Sequence, residues 1–184
     1  LTSIFAIRET NQHVVLEQVK LIKKPIDNLF LKITFKHPNL SSATQAGLIN
    51  NLNDGMIWGV LPIVLASRSF TIKEIAIIVA IYPAVWGIGQ LFTGKLSDFY
   101  NKKRMLIFGM LLQSIALIAM FYSTTMLLFV ILASLLGLGT AIVYPTFLSA
   151  MADFTNPIQR AQSIGGFRVG RDSGYAFGAI FTII

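Results

Sequence analysis

Asp54 is the acid that stands inside an apolar run rather than at its edge, in Asn50-Asn51-Leu52-Asn53-Asp54-Gly55. An ionisable group there is costly and usually has a task, and its affinity for protons follows its surroundings. The plainer reading is an Asn-Asp-Gly corner near the inner interface, solvated by headgroups. Asp172 is the second such candidate. It stands four residues after Arg168 and beside Arg171, so a surface ion pair with Arg168 is its structural alternative. Enzyme chemistry finds no support. The chain has no cysteine, no HExxH, and only His13 and His37, both in the polar N-terminal part. No metal site, catalytic residue or cofactor is expected.

The elements that must carry these acids follow from composition. Charged residues make up 12% and hydrophobic residues 54%, against about 25% charged in a soluble domain. The fold class read from this is all-α, a polytopic transmembrane helical bundle. A span needs about 20 apolar residues, which places crossings at 46–66, 72–93, 103–122, 126–148 and 157–184, the last incomplete. Residues 1–7 read as the end of a preceding span and 8–45 as a polar cytoplasmic loop. Within that loop Val15, Leu16, Val19 and Ile22 recur at helical spacing, as in a surface helix or a solvated one. The chain starts at Leu1 and stops at Ile184 in an apolar run, and reads as an excerpt of a longer protein.

Helix ends are marked. Thr71 with Glu74 forms a capping box, and Asn156-Pro157-Ile158-Gln159 opens the last helix. Gly166, Gly170, Gly174 and Gly178 recur every four residues, a stripe that admits a neighbouring backbone in lipid. Trp58, Tyr82, Trp86 and Tyr144, with Asn51, could line a cavity for an apolar or cationic solute, although aromatic residues in spans more often pack or anchor. All the lysines and arginines except Arg68 and Lys73 fall in segments on one side, and the positive-inside rule makes that side cytoplasmic, with the N-terminus. The net charge of +7 thus sets orientation and does not call for nucleic acid.

Between two of these runs lies Gly94-Lys95-Leu96-Ser97-Asp98-Phe99-Tyr100-Asn101-Lys102-Lys103-Arg104, a short charged loop. The pattern G-x-L-x-D-x-x-(G/N)-(K/R)-(K/R) resembles the loop signature of the major facilitator superfamily of secondary transporters. Ile7-Arg8-Glu9-Thr10 resembles the exit after the sixth helix of that family. Asn50 to Gly55, Tyr82 to Gly87, Tyr144-Pro145-Thr146 and Arg168 to Tyr175 are similar to a bacterial efflux-type subgroup.

The resemblance implies the second half of a twelve-helix molecule. Residues 1–7 would end helix six, the five spans would be helices seven to eleven, and an N-terminal six-helix half would be the missing partner. Asp98 would accept hydrogen bonds at a neighbouring helix N-terminus and latch one conformation, with Gly94 and Leu96 shaping the loop. Lys102, Lys103 and Arg104 would hold it at the anionic inner face. Asn101 stands where glycine is usual, and it tolerates the left-handed conformation expected of that turn. The family commonly has an arginine four residues before the first glycine of the fourth span, where this chain has Ala133 before Gly137. A latch on that arginine is absent, or Arg168 or Arg171 replaces it. The implied function is transport of a small solute by alternating access: proton-coupled export, as an antiporter, of a small organic compound across a bacterial inner membrane. Its partners would be the lipid bilayer, the solute and protons. The alternatives are uptake of a nutrient or ion by the same fold, or an inactive remnant.

Overall fold

The computed structural model describes residues 25–182, and of Asp98 the backbone alone. Residues 1–7 and the surface helix expected around Val15 to Ile22 lie outside the described residues. A helical turn at Leu29–Leu31 runs into a π-helical turn at Lys32–Lys36. Five long helices follow: α1 (Pro38–Ser67), α2 (Ile72–Phe99), α3 (Lys102–Tyr122), α4 (Met126–Phe154) and, after a 3-10 turn at Pro157–Gln159, α5 (Arg160–Phe181). There is no strand among the described residues.

Capping chemistry sets the helix starts. His37 Nδ1 accepts from the Leu40 N–H at 3.3 Å, ahead of Pro38 in the first turn of α1. Thr71 and Glu74 form the expected capping box on α2, with the Glu74 carboxylate 2.8 Å from the Thr71 N–H. Asn156 caps the 3-10 turn at 3.0 Å from the Ile158 N–H. Gln159 does not reach back to that cap. Its amide instead pairs both ways with the Ile26 backbone, accepting at 2.7 Å and donating at 3.0 Å.

Three expectations from the sequence need correction. First, the helices outrun the apolar windows: α1 begins at Pro38 rather than residue 46, and α4 ends at Phe154 rather than 148. Hydropathy measures the part in hydrocarbon, whereas a helix of 30 residues is about 45 Å long and projects past both faces of a core about 30 Å thick. Residues 38–45 are therefore the first turns of α1 and not loop. Second, the charged segment from Gly94 is helical through Phe99, and only Tyr100 and Asn101 separate α2 from α3. Asn101 is not left-handed: at φ −64° it caps α3, its Oδ1 accepting from the Arg104 N–H at 3.1 Å. Third, among the described residues α1 to α4 are long and apolar enough to cross a membrane, and the expected fifth, incomplete crossing at 157–184 is represented by the more polar α5. Arg168, Arg171, Asp172 and its glycines interrupt its apolar run.

The packing is built on glycine. On α5, a Cβ at Gly178 would come within 2.6 Å of the Leu52 carbonyl, and one at Gly174 would press on the Leu48 carbonyl and lie 2.8 Å from the Leu52 nitrogen. Gly170 meets Thr44, and Gly166 faces Ile33. The stripe thus finds its partner inside the chain, with α5 running parallel to α1. On α4, Gly137 lies against the Tyr82 carbonyl of α2, and Gly139 against Gly109 and Gln113 of α3. Two units result, α1 with α5 and α2 with α3 and α4, and they touch each other less extensively than their members do. Phe108, Leu111, Ile115 and Ile118 line the outward face of α3 at helical spacing, as suits lipid contact. Pro145 has no N–H for the Ala141 carbonyl one turn back, and the Thr93 hydroxyl of α2 donates to that carbonyl at 2.5 Å.

Gly174→Val should lower the thermal unfolding midpoint of the detergent-purified protein by an amount corresponding to about 1–3 kcal/mol of overpacking. Gly165→Ala, where an added Cβ has no atom within 4 Å, should leave it unchanged. An equal melting temperature for both variants would show that the α1–α5 approach does not need the glycine.

Candidate functional site

Two apolar clusters fill the ends of the bundle. One gathers Leu61, Leu65, Ile78, Phe129 and Leu136, and the other Leu29, Leu40, Phe147, Met151 and Phe167. Between them, midway along α1 and α4, polar side chains from four helices meet around Asp54. Asp54 is 4% exposed. Tyr82 Oη of α2 donates to Oδ1 at 2.7 Å and lies 3.2 Å from Thr140 Oγ1 of α4. Tyr175 Oη of α5 donates to Oδ2 at 3.4 Å, and Asn50 Nδ2 reaches the same oxygen at 3.5 Å. Asp54 is thus packed inside the helices and is not a solvated corner.

The second acid belongs to the same network. Asn50 Nδ2 donates to Asn51 Oδ1 at 3.4 Å, and Asn51 Nδ2 donates to Asp172 Oδ1 at 3.2 Å. Asp172 in turn accepts from Arg171 Nε at 2.7 Å, with Nη2 at 2.6 Å. The expected ion pair with Arg168 is not formed; Arg168 is exposed. Arg171 takes its place because its guanidinium is drawn inward over the rings of Tyr144, at 4.9 Å, and Phe167, at 5.9 Å. Gly47 leaves the room, since a Cβ there would collide with Phe167 and touch Arg171.

The aromatic candidates also meet. Trp58 stands edge-on to Tyr82 at 5.9 Å, Tyr82 stacks near Trp86 at 6.4 Å, and Trp86 stands edge-on to Tyr144 at 6.1 Å. They form one run across α1, α2 and α4 that ends under the Arg171 guanidinium. Tyr175, Thr140 and Asn50 were not singled out as site residues from sequence. The signal for Asn50 was its place one helical turn before Asp54, and for Tyr175 its place three residues after Asp172. A lone Thr140 in an apolar helix carries no such signal.

The signature segment gathers at the other end of α2, away from this centre. A cavity of about 750 Å³ opens there, with Asn39, Ser97, Tyr100, Lys102, Lys103 and Asp153 among its lining. Lys102 Nζ pairs with the Asp153 carboxylate at the end of α4. Leu96 and Arg104 line a smaller cavity of about 320 Å³ beside it. Gly94 faces open space. The side chain of Asp98 lies outside the described residues.

Comparison with known proteins decides the family. The Major Facilitator Superfamily model matches residues 45–184. The chain belongs to that superfamily. Among curated members it is 28% identical to the inner membrane transport protein YnfM of Escherichia coli (strain K12), over 95% of this chain and 41% of that protein. It is 27% identical to the uncharacterized MFS-type transporter YvkA of Bacillus subtilis (strain 168), over 65% of the chain and 27% of the relative. With the uncharacterized MFS-type transporter YwoD of the same organism it shares 22% identity, over 58% and 24%. The chain spans less than half the length of these relatives. No solved structure matches it.

Within the superfamily pattern, Ala133 is the departure noted above. It is fully buried in the apolar cluster with Leu132 and Leu136. Arg171 does not fill that place, since it lies over Tyr144 further along α4.

Tyr82→Phe should keep the aromatic run and remove the closest donor to Asp54. Loss of such an interhelical bond is expected to destabilise the protein by about 1–2 kcal/mol, read as a lower melting temperature in detergent. A melting temperature equal to that of the unaltered protein would mean that Asp54 does not depend on Tyr82.

Proposed function

We propose that the protein forms part of a carrier that moves a small solute across a membrane by alternating access, with Asp54 as the coupling acid. The observation behind this is the single network that ties Asp54 to Tyr82, Tyr175 and Asn50 and, through Asn51, to the Asp172–Arg171 pair. A proton arriving at Asp54 changes which of these bonds can form, and they join three helices from both packing units. That is the local event an alternating-access carrier needs if proton movement is to shift one bundle against another.

In this reading the chain supplies the C-terminal half, helices seven to eleven, and a six-helix N-terminal half completes the central cavity. The positive-inside distribution supports a cytoplasmic N-terminal side. Relatives from Escherichia coli and Bacillus subtilis, one of them named an inner membrane protein, support a bacterial inner membrane. Export of a small organic compound by proton antiport is preferred over uptake because the motifs resemble an efflux-type subgroup. Asp98 and the basic residues after it serve as the latch between conformations.

Asp54→Asn in the full-length protein should abolish proton-driven transport while the protein still reaches the membrane. The check is export of a panel of dyes and small organic compounds from energised cells, with membrane content measured by immunoblot. Transport at the unaltered rate in the variant would sink the coupling role, and gradient-dependent accumulation in place of export would favour uptake. Asp98→Ala should insert normally and slow turnover by about tenfold, a barrier change of about 1.4 kcal/mol. Unchanged turnover would remove the latch.

A further inference from the structure

We propose that the solute carries an oxyanion, most simply a carboxylate, and that Arg171 is the group that binds it, with Trp86 as a second donor. This rests on the carrier reading and names the chemistry of its cargo. Asp172 occupies the Nε and Nη2 side of the Arg171 guanidinium. Nη1 is buried without a hydrogen-bond partner, as is the indole Nε1 of Trp86. Both side chains pack on Tyr144, the guanidinium 4.9 Å over its ring and the indole in a T-shaped contact.

A guanidinium presents its donors as a planar fork with two edges, each matched to a carboxylate. Asp172 takes one edge of Arg171, and Nη1 on the other edge is buried with no acceptor. A buried donor left without an acceptor is unfavourable, more so on a charged group. An oxyanion arriving at this edge meets an interaction that the resting protein lacks. Of the aromatic run, Trp58 is exposed and Trp86 partly so, and these two give an attached ring an apolar contact.

A cationic solute is served less well. The acid it would seek, Asp54, already accepts from Tyr82, Tyr175 and Asn50, so a cation has to displace bonds that an anion leaves intact. Asn50 Oδ1, a buried acceptor without a partner next to Asp54, suits a hydroxyl or amide N–H on the body of the same solute. The expectation of an apolar or cationic cargo is thereby replaced by an aromatic or apolar acid.

Binding to the full-length protein in detergent tests this without any gradient, so a failure of proton coupling leaves the result readable. Calorimetric titration would compare matched pairs: benzoate with benzamide, 4-hydroxybenzoate with 4-hydroxybenzamide, and indole-3-acetate with its amide. We expect at least one carboxylate to bind about tenfold or more tighter than its amide, the scale of one charge-assisted hydrogen bond. Arg171→Gln should erase that preference. Trp86→Phe, which keeps an aromatic ring and removes the N–H, should reduce it about threefold. Should Arg171→Gln fail to fold, Arg171→Lys keeps the charge, loses the fork and should still weaken carboxylate binding. Three results overturn the assignment: no acid in the panel binding better than its amide, a preference that survives loss of the guanidinium, or a preference unmoved by Trp86→Phe and Arg171→Lys together. The first would mean that another segment of the protein, and not a solute, supplies the acceptor for Arg171 Nη1.

Discussion

The close approach of α5 to α1 at Gly174 and Gly178 is the contact on which the centre of the molecule depends. At these two positions the α5 backbone lies directly against the carbonyls of Leu48 and Leu52. Only with the backbones so close can Tyr175 reach Asp54 and Asp172 reach Asn51. A methyl group at either glycine would push the helices apart and lengthen bonds that are already near the limit of hydrogen-bond geometry. In lipid, apolar surface alone gives helices little reason to associate, so close van der Waals contact and interhelical hydrogen bonds carry the association. Here the same residues supply both, because the glycines make the contact and the side chains beside them make the bonds.

The polar centre is expensive to build, and its location reflects that. An acid in mid-bundle needs donors from several directions, and tyrosine hydroxyls supply them from long side chains that are otherwise apolar. Tyr82 therefore serves two purposes, as a member of the aromatic run and as the nearest donor to Asp54. The two apolar clusters above and below seal the centre along the bundle axis. Arg171 shows the complementary solution for a cation, one side held by Asp172 and its faces covered by Tyr144 and Phe167.

Much of this was legible in the sequence wherever the signal is local or periodic. Long apolar runs announced membrane-crossing helices, the Thr71–Glu74 spacing announced a cap, and the four-residue glycine repeat announced a packing face. Asn50, Asn51 and Asp54 could be placed on one helix, but not against Tyr175 and Asp172, because no pattern states which helices lie side by side. The failures have physical causes of the same kind. Helix ends are set by caps and not by hydropathy, so α1 and α4 run past their apolar windows. Asn101 offers both a left-handed turn and a cap, and the orphan Arg104 N–H decided between them. Helical spacing favoured Arg168 as the partner of Asp172, but aromatic faces on α4 and α5 drew Arg171 there instead.

The hydroxyl of Thr93 has a mechanical meaning beyond the bond it makes. Pro145 opens a gap in the backbone ladder of α4, and a side chain from α2 closes it. Further along, Lys102 bridges from the start of α3 to Asp153 at the end of α4. The first tie resists a slide of α2 along α4, and the second, an ion pair near the surface, joins α3 to α4. With the glycine contacts of α4 on α2 and α3, these ties fasten the basic corner to α4, and the sparser contact within the chain lies between that unit and the α1–α5 pair.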